Sequence, residues 1–215
     1  MRLYDQIHQF PGYVQFLNDL HTFQQRSHFF VRLCRSKSIG SGDVGGHGNA
    51  AADLTVHLQG NYGSSAQAGR TASLDAGLAR NPHWTLAARD SGDFTQAKGQ
   101  ELVEAYLAQG IGFDVIFAEN DNMAYGAIDA LKNAGLTPGK DVTIISFDAS
   151  RHALELVMQG QISYDVECNP LHGPRVEAII QRLEKGQTPP KLTYVEETAF
   201  DTETITQSIL DSRGY

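Results

Sequence analysis

From residue 51 onward the apolar positions alternate between two rhythms. Short blocks with few polar interruptions read as strands: Leu54–Gln59 (LTVHLQ), Trp84–Ala88, Asp114–Ala118 (DVIFA), Val142–Phe147 (VTIISF), Ile162–Cys168 and Leu192–Glu196. Between them the spacing lengthens to that of helices. Ser64–Arg80 carries Ala68, Ala72, Leu74 and Leu78 at helical intervals, and Phe94–Gln109 carries Leu102, Val103, Tyr106 and Leu107 on one side. Asn122–Asn133, Arg151–Met158, Pro170–Lys185 and Thr204–Leu210 complete the helical set. The stops agree with the elements. Asn81-Pro82 ends the first helix, Gly135 and Pro138 the third, and Gly160 the fourth, while Pro170 is placed as a helix start. DVIFA and VTIISF lack polar alternation, as expected of strands covered on both faces. Strand and helix alternating over short connections predict a three-layer, doubly wound parallel α/β sheet.

Residues 1–50 do not follow this rhythm. Phe10-Pro11-Gly12 is a turn signal, with a short helix expected over Val14–Phe23 and a short strand over Phe29–Cys34. Gly40-Ser41-Gly42-Asp43-Val44-Gly45 has the GxGxxG spacing of a dinucleotide loop. Gly46, Gly48 and Asn49 then break the helix that such a loop must open, so a flexible glycine linker is the better reading. No basic stretch followed by an apolar core marks a secretory signal.

Charge sharpens the same boundary. The first fifty residues hold five Lys/Arg against three Asp, and four of the eight His; the remainder holds twelve Lys/Arg against twenty-two Asp/Glu. The net is +2 before the boundary and −10 after it, summing to the −8 of the 215-residue chain. The first Glu is Glu101. An atypical segment over 1–50 and a folded domain over 51–215 are therefore expected. The acidic balance argues against nucleic acid as a partner, because phosphate binding needs clustered Lys and Arg. No apolar run reaches the roughly 18 residues of a membrane span, so no direct membrane insertion is expected.

In doubly wound folds ligands lie beyond the carboxyl ends of the strands. Those ends carry Asn61, Tyr62, Ser64 and Ser65 after the first strand, Asp90, Asp93 and Phe94 after the second, and Glu119, Asn120 and Asp121 after the third. Asp148 follows the fourth, and Glu167 and Asn169 the fifth; Arg70, two turns into the first helix, reaches the same rim. Carboxylates and amides can accept from and bridge neighbouring sugar hydroxyls, an Arg fork donates to oxygens, and an aromatic face stacks on a sugar's C–H face. Each candidate has a rival role. Asn120 can cap the following helix, a task Asp121 could take instead; Arg70 can pair with Asp75 or Asp93; Phe94 can serve the core. No P-loop is present and the rim is acidic, so phosphate fits poorly.

The stretches SGDFTQAKGQELVEAYLAQG and FDVIFAENDNMAYGAIDALKNAGLTPGKDVTIISFDA, with LQGNYGSSAQAGR, Glu167-Cys168-Asn169-Pro170 and the terminal Gly214-Tyr215, resemble periplasmic sugar-binding proteins of ABC transporters, of the ribose- and galactofuranose-binding type. The resemblance covers Leu54 to Tyr215. It implies two α/β lobes that close on a monosaccharide, of which this stretch is the second. It also implies ABC permease subunits as partners and a periplasmic location, against a cytoplasmic one if the chain is translated as it stands. Carried over by position, Arg70 is the sugar-binding Arg of the first helix, Phe94 the stacking aromatic, Asn120 and Asp148 the polar ligands of the ND and FD motifs, and Glu167 the acidic residue of the crossover.

The sequence departs from the family before Leu54. The roughly fifty residues there match nothing in a first lobe, and the expectations for them are an unfolded segment or an out-of-frame reading of that lobe's coding region. The helix Pro170–Lys185 is then expected to leave Val176, Ile179, Ile180 and Leu183 uncovered. Weak or absent sugar binding follows for a lobe acting alone.

Two other functions share the pattern. The effector domain of a LacI-type regulator has this fold, but a basic helix-turn-helix is not readable in residues 1–50. A flavodoxin-like enzyme would need a phosphate loop after the first strand, where GNYGSS gives weak support. Catalysis is not expected: no GxSxG or HExxH motif is present, His57 lies inside a strand, and Cys168 beside Glu167 reads as a buried thiol. Cys34 and Cys168 form no metal spacing, and neither a metal nor a cofactor is expected.

Overall fold

The computed structural model describes residues 53–215. The helix expected over 14–23, the strand over 29–34, the glycine run at 40–48, Cys34 and the readings of residues 1–50 lie outside the described residues.

Six strands form one sheet in the order β2-β1-β3-β4-β5-β6. They are β1 (Asp53–Gln59), β2 (Trp84–Ser91), β3 (Val115–Ala118), β4 (Thr143–Asp148), β5 (Tyr164–Glu167) and β6 (Ala199–Phe200). The first five are mutually parallel, and β6 runs antiparallel to β5 through Asp165↔Phe200 and Val166↔Ala199. The helices are α1 (Ser65–Arg80), α2 (Gln96–Ala108), α3 (Asp121–Asn133), α4 (Arg151–Met158), α5 (Gly173–Glu184) and α6 (Gln207–Ser212).

The strand β3 shows why its sequence carries no polar alternation. Ile116 and Ala118 enter a large core built with α2, α3, α4 and α6, whereas Val115 and Phe117 enter a second core with Leu74 of α1 on the other face. Successive side chains point to opposite faces, so a strand with helices on both sides is apolar throughout. The helices α2 and α3 touch through their backbones: a Cβ on Gly126 would sit 2.0 Å from the Gln96 carbonyl oxygen. Glycine is the residue that permits this approach.

Element boundaries moved where side chains cap. Ser64 and Thr95 are N-caps, accepting from the Gln67 and Lys98 N–H groups, so α1 and α2 start after them. The strand expected over Leu192–Glu196 does not form. Leu192 and Tyr194 are exposed there, and the chain pairs with the sheet only at Ala199–Phe200, where Phe200 enters the core. The proline that opens α5 is Pro174 rather than Pro170, because Asn169 first turns the chain by accepting the Leu171 N–H at 2.9 Å. The closing helix starts later than residue 204, since Asp201 Oδ1 holds Glu203, Thr204 and the Thr204 hydroxyl in a turn. No residue of α5 is buried, and Val176, Ile179, Ile180 and Leu183 are 36–55% exposed.

Candidate functional site

Four non-glycine residues among those described have φ between +50° and +120°: Asp93 (52°), Phe94 (59°), Asp148 (117°) and Ala149 (55°). The first pair follows β2 and the second ends β4, so both lie at carboxyl ends of the parallel strands. Each such conformation costs about 1–3 kcal/mol and persists only where its surroundings impose it. These two strained turns bracket the rim.

Arg70 and Asp148 meet between them. Arg70, on the second turn of α1, donates from Nη2 to Asp148 Oδ1 at 2.7 Å. Its Nη1 donates to the Glu119 carbonyl at the end of β3, and its guanidinium lies 5.2 Å over the Phe147 ring. The Arg70 side chain is 12% exposed and that of Asp148 39%, so the arginine is fixed from behind while the carboxylate faces outward. The expected pairing of Arg70 with Asp75 or Asp93 is replaced: Asp75 holds Arg89 instead. Burial pushes the Asp148 carboxyl up to about 6, with Arg70 opposing and Asp121 reinforcing the shift.

Phe94 is half-buried and packs against the main core, its ring lying directly on Gly60, where a Cβ would come 1.9 Å from Cζ. Asn120 both caps and ties. Its Oδ1 accepts the Met123 N–H at 3.0 Å as the N-cap of α3, and its Nδ2 donates to the Phe94 carbonyl at 3.2 Å. The cap is thus Asn120 itself, not Asp121. One Asn120 N–H and one Oδ1 lone pair are not engaged by these two bonds.

Behind the rim lies a network that strand-end reasoning missed. Glu119, expected to offer its carboxylate at the rim, is fully buried and turned inward. Its Oε1 accepts from the Thr71 hydroxyl at 2.6 Å and His57 Nε2 at 2.9 Å, and its Oε2 from the Gly60 N–H at 2.7 Å. Arg89 donates to His57 Nδ1 at 2.8 Å, which leaves Nε2 to carry the proton of a neutral imidazole. Burial lowers the His57 pKa, with Glu119 opposing. The sequence signal was a pair of polar residues, His57 and Glu119, on apolar neighbouring strands. With both ring nitrogens engaged, His57 has no free nitrogen to act as a base.

Glu167 stands opposite Asp148 in register at the end of β5, and its carboxylate is taken up by the C-terminus. Its Oε1 accepts from Arg213 at 2.6 Å, the Tyr215 hydroxyl at 2.8 Å and Asn169 Nδ2 at 3.3 Å, and its Oε2 from the Thr198 N–H at 3.0 Å. Burial pulls its pKa upward, but the bonds from Arg213, Tyr215 and Thr198 outweigh it and the carboxyl is lowered. The Tyr215 hydroxyl is pushed up to about 12 by burial and by Glu167. Of the minor candidates, Ser64 caps α1, Asp90 accepts from the Tyr106 hydroxyl at 2.9 Å, and Asn61 is exposed. Cys168, expected to be buried, is exposed, because the crossover it sits on leaves the sheet; its N–H reaches the Asp148 carbonyl at 3.2 Å.

The structure thus gathers Arg70, Phe94, Asn120 and Asp148 around the ends of β2, β3 and β4, with Glu167 opposite Asp148 at the end of β5 and bonded into a tether of the C-terminus. The gathered groups offer fixed donors, an outward carboxylate and an aromatic edge. Among the described residues no cluster of His, Cys, Asp and Glu is arranged to hold a metal ion, and no helix is long and apolar enough to cross a membrane.

Residues 43–172 match a family model described as a periplasmic binding protein domain, a match that begins inside the glycine run. The chain is 32% identical over 158 residues to the galactofuranose-binding protein YtfQ of Escherichia coli, covering 72% of this chain and 50% of that protein. A solved structure from Mycobacterium smegmatis in complex with β-D-fucofuranose superimposes with a TM-score of 0.68 at 33% identity, covering 71% of this chain and 50% of that one. The periplasmic binding protein of the arabinose ABC transporter from Shewanella sp. ANA-3, bound to α- and β-L-arabinofuranose, gives a TM-score of 0.69 at 32% identity, covering 76% and 55%. The chain spans half or less of the length of the first curated relatives it matches.

Proposed function

The chain belongs to the periplasmic binding protein domain family, and from that premise we propose that it serves as a sugar-binding lobe of the solute-binding component of a sugar ABC transporter. The proposed ligand is a monosaccharide, with galactofuranose the leading candidate. The observation that carries this reading is the Arg70–Asp148 pair, fixed from behind by the Glu119 carbonyl and open toward solvent. A charged donor and acceptor held side by side match the adjacent hydroxyls and ring oxygen of a sugar. Phe94 would supply the apolar wall and Asn120 a further polar contact. Glu167, opposite Asp148 in register, would complete the set while it also anchors the C-terminal tether. The ligand is bound and released unchanged, the permease subunits being the partners that receive it, and the place of action is the periplasm.

The test is a two-dimensional amide spectrum of the full chain titrated with galactose, arabinose and ribose, each of which supplies its furanose form in solution. Shifts gathered at residues 60–70, 92–95, 119–121 and 148–150 are expected, with a dissociation constant in roughly the millimolar range, since a one-sided site leaves the ligand largely in water. Saturable shifts elsewhere only, or none with any of these sugars, would remove the proposal.

A further inference from the structure

Behind the Asp148 turn lies a pair of carboxyl groups that ligand binding does not explain. Asp165, midway along β5, is fully buried and stands opposite Ser146 of β4 in register. Its Oδ1 accepts the Ala149 N–H at 3.2 Å, while its Oδ2 is buried and accepts from nothing. Beside it, Asp121 at the start of α3 is also buried, and both of its oxygens accept hydrogen bonds, Oδ1 with a lone pair to spare. Oδ1 accepts from the Ser146 hydroxyl at 2.7 Å, and Oδ2 from the Ser150 N–H at 2.9 Å and the Ser150 hydroxyl at 2.7 Å. Ser146 has a single O–H, and it is spent on Asp121.

Among the described residues no ion pair or hydrogen bond links the two carboxyls to a cation. Arg70 of α1 is held by Asp148 and the Glu119 carbonyl, Arg151 of α4 turns to the Leu210 carbonyl and Glu155, and Arg213 binds Glu167 farther along β5. The remaining titratable neighbours are Asp148 on β4 and Tyr125 on α3, with His152 of α4 against the Tyr125 ring. Two ionised carboxylates side by side in a dry interior repel each other, and a buried oxygen without a donor loses its hydration for nothing. A single proton removes both costs.

We propose that Asp165 is a neutral carboxylic acid at neutral pH, that its Oδ2–H donates to ionised Asp121, and that this acid–carboxylate pair is the brace of the Asp148–Ala149 turn. The two groups grip consecutive backbone amides, Ala149 by Asp165 and Ser150 by Asp121, directly after the residue that faces Arg70. Two pinned N–H groups hold the chain in the left-handed conformation that aims Asp148 at the rim. Asp121 and Asp165 are thus positioning residues. Burial drives the Asp165 carboxyl well above the usual range, and ionised Asp121 adds to the effect. The protonation state stands whatever the ligand is; only its bearing on Asp148 as a ligand group rests on the proposed function.

The experiment needs no ligand. The full chain, carrying aspartate labelled with carbon-13 at the side-chain carboxyl, is followed by infrared and carbon NMR spectroscopy from about pH 5 to about pH 9. One carboxylic acid signal persisting at about pH 8, and absent from D165N, is expected. In D165N an amide N–H replaces the donor and the remaining oxygen keeps the Ala149 bond, so the turn geometry is kept, whereas D165A loses both hydrogen bonds. Because the folded Asp165 pKa lies above its unfolded value, wild-type stability falls as pH rises between the two, and D165N gains on wild type across that range. A wild-type spectrum with every aspartate ionised at about pH 8 overturns the proposal, and that measurement decides the matter even if D165N fails to fold. A D165N–wild-type stability difference that does not change with pH overturns it equally.

Discussion

Arg70 and Asp148 stand 78 positions apart in the sequence and meet at 2.7 Å, the one from the second turn of a helix and the other from the strained end of a strand. The pair has a built-in asymmetry. The arginine is immobilised by the Glu119 carbonyl and the Phe147 ring, while the carboxylate is left in contact with water.

That asymmetry predicts an acid-sensitive site. Burial raises Asp148 to about 6, so it is ionised at neutral pH and largely protonated near pH 5. If the ionised form accepts the ligand's hydroxyls, affinity for the sugar falls about tenfold over each pH unit below 6. Titrations at pH 7 and pH 5 check this, and D148N should bind weakly at both. For folding the direction is the reverse: a carboxyl with a raised folded pKa favours the native state below its unfolded pKa and loses that contribution as pH rises through 6. R70A should lose at least tenfold in affinity at neutral pH, the loss of one charge-assisted hydrogen bond.

Gly60 and Phe94 form a second coupled pair. The ring occupies the space a Cβ would need, at 1.9 Å, and the Gly60 N–H is bound by Glu119. G60A must therefore displace the ring. Overpacking of this kind costs about 1–3 kcal/mol. Thermal denaturation should show that loss, while G60A with F94A should recover part of it, because removing the ring removes the clash. A double variant no more stable than G60A would mean that the backbone, not the ring, is at fault.

Glu119 supports both pairs, through its carbonyl to Arg70 and through its carboxylate to Gly60, Thr71 and His57. Replacing it by Ala would leave two buried donors, Gly60 N–H and His57 Nε2–H, and the half-buried Thr71 hydroxyl without this acceptor. A cost of about 3–5 kcal/mol is expected, against a smaller one for E119Q, whose amide oxygen still accepts. Urea denaturation of the two variants separates these outcomes.

The order of elements was legible because five of the six strands are apolar blocks set between helices with clear stops. The rim was legible for a related reason: parallel strands deliver their carboxyl ends to one edge, which placed Arg70, Phe94, Asn120 and Asp148 near one another. What the sequence hid depends on direction and on distant partners. Glu119, Asn120 and Asp121 are consecutive, yet the first turns into the interior, the second caps a helix and the third joins Asp165. No periodicity distinguishes those fates. The strand expected at 192–196 failed similarly, since local alternation does not reveal whether an edge has room to pair, and only Ala199–Phe200 found it.

Glu167 gives the last prediction, and it concerns acid stability. Arg213 and Glu167 are 8% and 10% exposed and bind at 2.6 Å, with the Tyr215 hydroxyl on the same oxygen. The arginine also stacks on Phe200 and Tyr215, so the pair closes the C-terminus over the end of β5 and β6. R213A leaves a nearly buried carboxylate without its cation, a change worth about 3 kcal/mol. Y215F should cost less, about 1.5 kcal/mol, as one hydrogen bond to a charged group is lost. The folded Glu167 pKa is lowered, so the tether contributes fully above the unfolded glutamate range and fades as pH falls through the folded value. R213A should consequently differ most from wild type at neutral pH and converge on it in strong acid. Melting temperatures measured from neutral pH downward check the convergence; a gap that stays constant to the lowest pH would show that packing on Phe200, not the ion pair, holds the terminus.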